Sequence, residues 1–180
     1  LITLTFLIFF SKKQIPNSKL IYIQPGTSIN ELGKLLKEEN LIYSNLLFKM
    51  ILRLSGNDKK IQFGEYSFKE NVKLLEIIET FINGDYYYRK IIIPECSTVE
   101  EILEIIESNN YLRGKVLELP EEGSIFPDTY FFQRYDDKNK VILRMQKKMD
   151  KEVDIIWKSK DSLLKSKLDL IKLASLIESE

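Results

Sequence analysis

Residues 20–32, Leu20-Ile21-Tyr22-Ile23-Gln24-Pro25-Gly26-Thr27-Ser28-Ile29-Asn30-Glu31-Leu32, decide the fold class. The apolar and aromatic run from Leu20 to Gln24 predicts a strand, and Pro25-Gly26 turns the chain. Ser28 with Glu31 three residues on is a capping box: each side chain satisfies a backbone N–H that lacks an intrahelical partner. Ile29, Leu32, Leu35 and Leu36 then recur on one helical face.

Working outward, a second helix is predicted from about Ser44, with Leu47, Met50, Ile51 and Leu54 as its inner stripe and Gly56 as its stop. The alternating, aromatic stretch Ile61 to Phe68 predicts a returning strand. Residues 19–69 are therefore expected to form an α+β unit, strand-helix-helix-strand, burying Leu32, Leu36, Phe48, Ile51 and Tyr66. A third helix carries Leu74, Leu75, Ile78, Phe81 and Ile82 and ends at Asn83-Gly84, where glycine adopts the left-handed conformation most cheaply. Tyr86 to Ile93 follows as a strand. After it, Ile93-Pro94-Glu95-Cys96-Ser97-Thr98-Val99-Glu100-Glu101-Ile102 parallels Ile23 to Leu32. Two copies are too few for a solenoid; the match is one supersecondary element used twice, or chance. Arg113 to Tyr135, holding Pro120, Gly123 and Pro127, reads as loop. A long helix over Lys138 to Trp157, with Ile142, Met145, Met149 and Ile156 inward, and a last helix from Leu168 complete the pattern.

The ends are different in character. Leu1 to Phe10 is uncharged, apolar except for two threonines, and followed by Lys12-Lys13. A membrane span needs roughly 20 apolar residues, so the run reads as the distal part of a transmembrane anchor or uncleaved signal. A buried strand is the alternative, since Thr alternating with Phe and Leu suits β structure. Gln14 to Ser18 reads as a linker. The chain begins with Leu and its last helix reaches Glu180 without a capping residue, so both ends read as cut.

Composition narrows the chemistry. With 44% hydrophobic and 30% charged residues the 180-residue chain is globular, and 27 basic residues against 27 acidic ones give none of the basic excess that nucleic acid binding needs. Histidine is absent, which excludes Ser-His-Asp and Cys-His nucleophile systems and histidine-ligated zinc. Cys96 is the single cysteine, so there is no intramolecular disulfide and no cysteine zinc cluster. A catalyst must come from carboxylates, Lys, Tyr, a lone Ser or the lone Cys.

Two stretches could carry chemistry. In Glu122 to Phe132, aromatic residues around the Pro127-Asp128 turn either form a platform for sugar rings or fill a core while Asp128 caps local N–H groups. In Leu170 to Glu180, Leu170, Leu173, Ala174 and Ile177 form an apolar stripe, with Lys172, Ser175 and Ser179 on the polar side. Glu178 lies on one shoulder of the stripe and Glu180 on the other. A carboxyl on an apolar face is desolvated and held protonated near neutrality, as a general acid must be; a solvent-facing glutamate at a helix end is the commoner case, and helix geometry does not choose between the two residues.

These stretches, in this order, resemble the endolytic murein transglycosylases of the MltG/YceG type. The resemblance rests on Gly123 with Phe126-Pro127-Asp128-Thr129-Tyr130, on Lys147-Lys148-Met149 and Trp157, and on Leu173-Ala174-Ser175-Leu176-Ile177-Glu178-Ser179-Glu180, where the family reads ASIIEKE. Upstream, Pro25-Gly26-Thr27 and Phe63-Gly64-Glu65-Tyr66 resemble the family's LysM-like subdomain. Cys96 stands where the family has the glycine of Pro-Glu-Gly, and since Cys lacks glycine's backbone freedom that turn is expected to differ. The resemblance implies a partial membrane anchor and linker over 1–18, a LysM-like subdomain over 19–69, and over 70–180 the first part of a mixed α/β catalytic domain. It also implies an inner-membrane, periplasm-facing lytic transglycosylase, a carbohydrate lyase acting on peptidoglycan glycan strands, with peptidoglycan synthases as possible partners. Glu178 would be the catalytic acid, with no metal or organic cofactor required; Phe126, Asp128, Tyr130 and Glu180 would bind substrate or support the site. Asp128 is also the candidate second carboxylate if the reaction were hydrolysis. A non-catalytic, membrane-tethered wall-binding or scaffold protein is the reading from another class.

Overall fold

The computed structural model describes residues 18–69, 71–159 and 164–178, with Glu178 described as backbone only. The apolar run over 1–10, most of the linker and Glu180 lie outside the described residues. The chain divides into two compact units, with the division between Tyr87 and Tyr88.

The first unit contains β1 (Lys19–Ile23), α1 (Ile29–Glu38), α2 (Asn45–Leu54), β2 (Gly64–Phe68) and α3 (Leu74–Asn83). β1 and β2 are antiparallel, with Lys19 opposite Phe68 and Ile23 opposite Gly64. A two-stranded ribbon is marginal in water unless a hydrophobic face is covered. Here the covering comes from the helices: Ile21, Ile23, Tyr66 and Phe68 share one core with Leu32, Leu36, Phe48, Leu52, Ile77, Ile78 and Phe81. The Phe81 ring meets Tyr66 and Phe68 edge-on, at 4.9 and 5.5 Å between centroids. The Tyr66 hydroxyl donates to the Gln62 carbonyl at 2.8 Å, and burial raises its pKa.

The expected capping box forms. Ser28 Oγ accepts from the Glu31 N–H at 3.2 Å, and the Glu31 carboxylate accepts from the Ser28 N–H at 2.8 Å. α3 ends at Gly84 in the left-handed conformation, φ +71°. Three expectations are corrected. α3 packs its buried face into the first core, so this unit runs beyond residue 69. The returning strand is confined to Gly64–Phe68. The inner face of α2 is Phe48 and Leu52, with Ile51 only partly buried, while Met50 and Leu54 are exposed.

The second unit contains β3 (Arg89–Ile92), α4 (Val99–Glu107), β4 (Thr129–Phe132), α5 (Lys138–Ser159) and α6 (Lys167–Glu178). β3 and β4 are antiparallel, Arg89 opposite Phe132 and Ile92 opposite Thr129. β4 lies within the stretch expected to be loop. Its Tyr130 and Phe132 enter a core with Ile91, Ile102, Ile106, Val141, Ile142 and Met145. On α5, Val153 is buried where Ile156 was expected to be; Ile156 is exposed. At the start of α5, Lys138 is 7% exposed, and its ammonium donates to the Glu107 carbonyl at 3.0 Å and to the Glu107 carboxylate at 2.5 Å. A cation thus sits at the C-terminal end of α4, where the helix dipole favours it.

The sequence match between the two units is structural. In each, a strand leads through a turn into a helix closed by a capping box, Ser28 with Glu31 and Thr98 with Glu101. Gly26 has φ +87° and Cys96, its counterpart, φ +59°. The turn at Cys96 was expected to differ; it keeps the left-handed conformation despite the Cβ. The chain is α+β, two small antiparallel ribbons covered by helices. No described helix is long and apolar enough to cross a membrane.

Candidate functional site

The second unit holds a cleft of about 680 Å³, a volume ordinary for small-ligand sites. One wall is the turn Glu95 to Thr98, between β3 and α4. A second is Glu122, Gly123, Ile125, Phe126 and Pro127, the segment leading into β4. Met149 of α5 contributes to the lining, and Ile171, Ala174, Ser175 and Ile177 of α6 complete it. The two stretches singled out in the sequence thus border the same space.

Local rules explain why these walls hold. Gly123 has φ +75°, and a Cβ at that position would lie 2.8 Å from Ile171 Cγ2. Glycine is therefore required twice, for the backbone conformation and for the close approach of α6. Beside it, both Glu122 carboxylate oxygens accept from the Val99 N–H, at 3.1 and 3.3 Å. This ties the segment to the first residue of α4, where a negative charge is favoured. α6 starts on Ser166, whose Oγ accepts from the Asp169 N–H at 3.1 Å. Lys167 pairs with Asp154 of α5 and holds the Asp154 carboxyl below its ordinary pKa through that hydrogen bond.

The expected site residues do not all lie on the cleft. Phe126 lines it. Tyr130 does not: its ring is in the core, and its hydroxyl donates to the Phe126 carbonyl at 2.5 Å. Burial pushes its pKa up to about 12, so it is a neutral phenol that fixes the backbone of Phe126. Asp128 is also absent from the lining. Its carboxylate accepts from the Thr129 N–H at 2.6 Å and pairs with Lys148 of α5. The Lys148 ammonium in turn lies 5.2 Å from the Phe126 ring centroid and 5.8 Å from that of Tyr130, within reach of both π-faces. Of the stretch around Pro127, only Phe126 offers an aromatic face to the cleft; the rest builds the turn and the core.

The backbone of α6 extends through Glu178. Ala174 and Ile171, four and seven residues earlier, both line the cleft, and in an α-helix those positions share a face with residue 178. The Glu178 side chain and the whole of Glu180 lie outside the described residues. The apolar stripe of α6 is not buried: Leu173 and Ile177 are exposed, and Ser175, placed on the polar side by the helical wheel, borders the cleft.

Two acidic residues on the cleft were not singled out from sequence. Glu95 and Glu122 both line it, whereas Asp128, the expected second carboxylate, is spent on Lys148. The signal for Glu122 was its position directly before Gly123; that for Glu95 was its place in the stretch that parallels Gln24-Pro25-Gly26. Among the described residues no carboxylate or thiol cluster is placed to hold a metal ion.

No curated relative matches the chain. Among solved structures it is similar to a yceG-like protein of Listeria monocytogenes, known from a 2.6 Å crystal structure, with 18% identity and a TM-score of 0.43. The match covers 76% of this chain and 55% of that one, so the chain spans little more than half the length of this relative. The family model of the YceG-like family matches residues 21–180, from within β1 of the first unit through the whole cleft of the second. The chain belongs to the YceG-like family.

Proposed function

We propose that the protein is an endolytic peptidoglycan lytic transglycosylase with Glu178 as its single acid–base group. The observation that carries this reading is that the Phe126 turn and the α6 face leading to Glu178, far apart in sequence, wall one cleft in a chain of the YceG-like family. The first unit, with its strand-helix-helix-strand core, is read as a LysM-like glycan-binding part. The protein is read as anchored in the inner membrane through residues upstream of Lys19, with both units facing the wall and synthases as working partners.

The chemistry needs one carboxyl. Glu178, protonated, gives its proton to the oxygen bridging N-acetylmuramic acid and N-acetylglucosamine as that C–O bond breaks and positive charge develops at the muramoyl C1. The carboxylate left behind takes the proton of the muramoyl C6 hydroxyl, whose oxygen bonds to C1 and closes a 1,6-anhydro ring. The acid is regenerated and no water is consumed. Glycoside hydrolysis instead uses a second carboxylate, as nucleophile or to activate water. Glu122 and Glu95 are the carboxylates on this cleft that could serve there, and Glu122 already accepts from Val99.

Mass analysis of glycans released from purified peptidoglycan by the full-length protein tests the reading. Anhydro-ended fragments from internal cuts are expected. Reducing ends would make the reaction hydrolysis, and binding without cleavage would make the protein a wall-binding scaffold.

A further inference from the structure

α2 is apolar on two faces. One face, Phe48 and Leu52, is in the core of the first unit. On the opposite face Leu46, Met50 and Leu54 follow at four-residue intervals, 67%, 47% and 83% exposed. Residues at that spacing form one stripe. Tyr43, exposed just before the Ser44 cap, adds an aromatic ring. The polar residues of the helix are Asn45, Lys49 and Arg53, and it carries no acid; the Lys49 ammonium donates to Asn30 Oδ1 of α1 at 3.1 Å and keeps its charge. The turn that follows adds Lys59 and Lys60 against Asp58.

From this we infer that the outer face of α2 is an interfacial contact that rests on an anionic lipid surface, the stripe in the headgroup–acyl boundary and Lys49 and Arg53 among the headgroups. An exposed apolar stripe bordered on one side by Lys49 and Arg53, on a helix without acids, matches the chemistry of helices that lie in a membrane interface. Lys and Arg suit that position because their stems are apolar and their charges reach outward to phosphate. A second copy of the chain is the competing occupant, since Tyr, Met and Arg are enriched in protein–protein interfaces; the lack of any acid on α2 favours the anionic surface. The ten-residue helix is about 15 Å long, too short to span a bilayer and sufficient to lie in its plane. The contact is independent of the cleft and of its chemistry. It would fix the first unit against the bilayer.

The test places an environment-sensitive fluorophore on the full chain through Leu54→Cys in a Cys96→Ser background, with Glu79→Cys on α3 as the control site. The probe reports α2 itself, so vesicle association through residues 1–17 does not register as a positive. With phosphatidylcholine vesicles containing phosphatidylglycerol, the probe at 54 should shift to the blue and be quenched by spin-labelled lipid, while the probe at 79 should not. Lys49→Glu with Arg53→Glu should weaken the response by roughly 25-fold or more, because each of the two lost cations counts for about fivefold near the surface. Three results would overturn the inference: identical behaviour at 54 and 79, a response equal on phosphatidylcholine alone and indifferent to the charge reversals, or a blue shift without vesicles that grows with protein concentration. The last would assign the stripe to a second copy of the chain.

Discussion

Asp128 and Lys148 are paired across the gap between the cleft-side turn and the middle of α5, and the same lysine ammonium lies over the rings of Phe126 and Tyr130. One cation therefore holds three residues of the Phe126 to Tyr130 turn. Both partners are about one-third exposed, so solvent screening limits the ion pair to roughly 0.2–1 kcal/mol. Its consequence is geometric, because Phe126 is the aromatic residue on the cleft. Lys148→Met should lower the urea midpoint only slightly, with the slope unchanged, and reduce affinity for glycan fragments more than it reduces stability. A double-mutant cycle with Asp128→Asn should show a coupling of no more than about 1 kcal/mol. Additive effects would show that the two residues act separately.

Gly123 is irreplaceable on two counts, φ +75° and the 2.8 Å approach that a Cβ would make to Ile171. Gly123→Ala should cost about 1–3 kcal/mol in urea unfolding. Adding Ile171→Ala should recover the steric part of the loss and leave the backbone part. Full stability in Gly123→Ala alone would mean that α6 does not sit where it lines the cleft.

Cys96 presents the opposite case, a residue with a Cβ held at φ +59° in an exposed turn. The left-handed conformation costs a non-glycine residue about 1–2 kcal/mol, and glycine's greater freedom in the unfolded chain returns part of that. Cys96→Gly should therefore raise stability by about 0.5 kcal/mol, read as a higher urea midpoint. A lowered midpoint would contradict the assignment of strain to this turn.

The Glu107 carboxyl is held below its ordinary pKa, first by the side-chain hydrogen bond from Lys138 and next by that from the Val116 N–H. A depressed folded-state pKa means the unfolded chain binds the proton more readily. The contribution is thus full above the ordinary carboxylate pKa of about 4.3 and disappears as pH falls through the folded-state value. Urea midpoints of the wild type and Glu107→Gln should differ most near neutrality and converge toward acid. A difference that does not change with pH would assign the effect to packing.

Much of this architecture was legible from local rules. Ser28 with Glu31, Thr98 with Glu101, and Gly84 are signals whose chemistry is complete within a few residues, and each bounds a helix as expected. β4 was not legible, because four residues following Pro127 carry too little periodicity and the strand exists through its pairing with β3. The inner face of α2 was misassigned because apolar residues surround that helix, so periodicity cannot say which side the core takes. The cleft was half legible. Its two motifs were visible as separate stretches, while Glu122 and Glu95 reach it only through tertiary approach. Of the two readings of the aromatic run around Pro127, core filling holds for Tyr130 and Phe132, which strand alternation sends inward, and Asp128 caps the Thr129 N–H.

The most direct test of the central claim is the release of anhydro-ended glycans from purified peptidoglycan by the full-length protein and its Glu178→Gln variant. Glutamine keeps the size of the side chain and one hydrogen-bonding oxygen but has no proton to transfer. General acid–base assistance is worth about 10²–10⁴-fold, so release should fall by that order while the unfolding midpoint stays in place. Glu180→Gln should retain far more activity. A Glu178→Gln protein that still releases anhydro-ended glycans at near-normal rate would contradict the assignment of Glu178 as the acid.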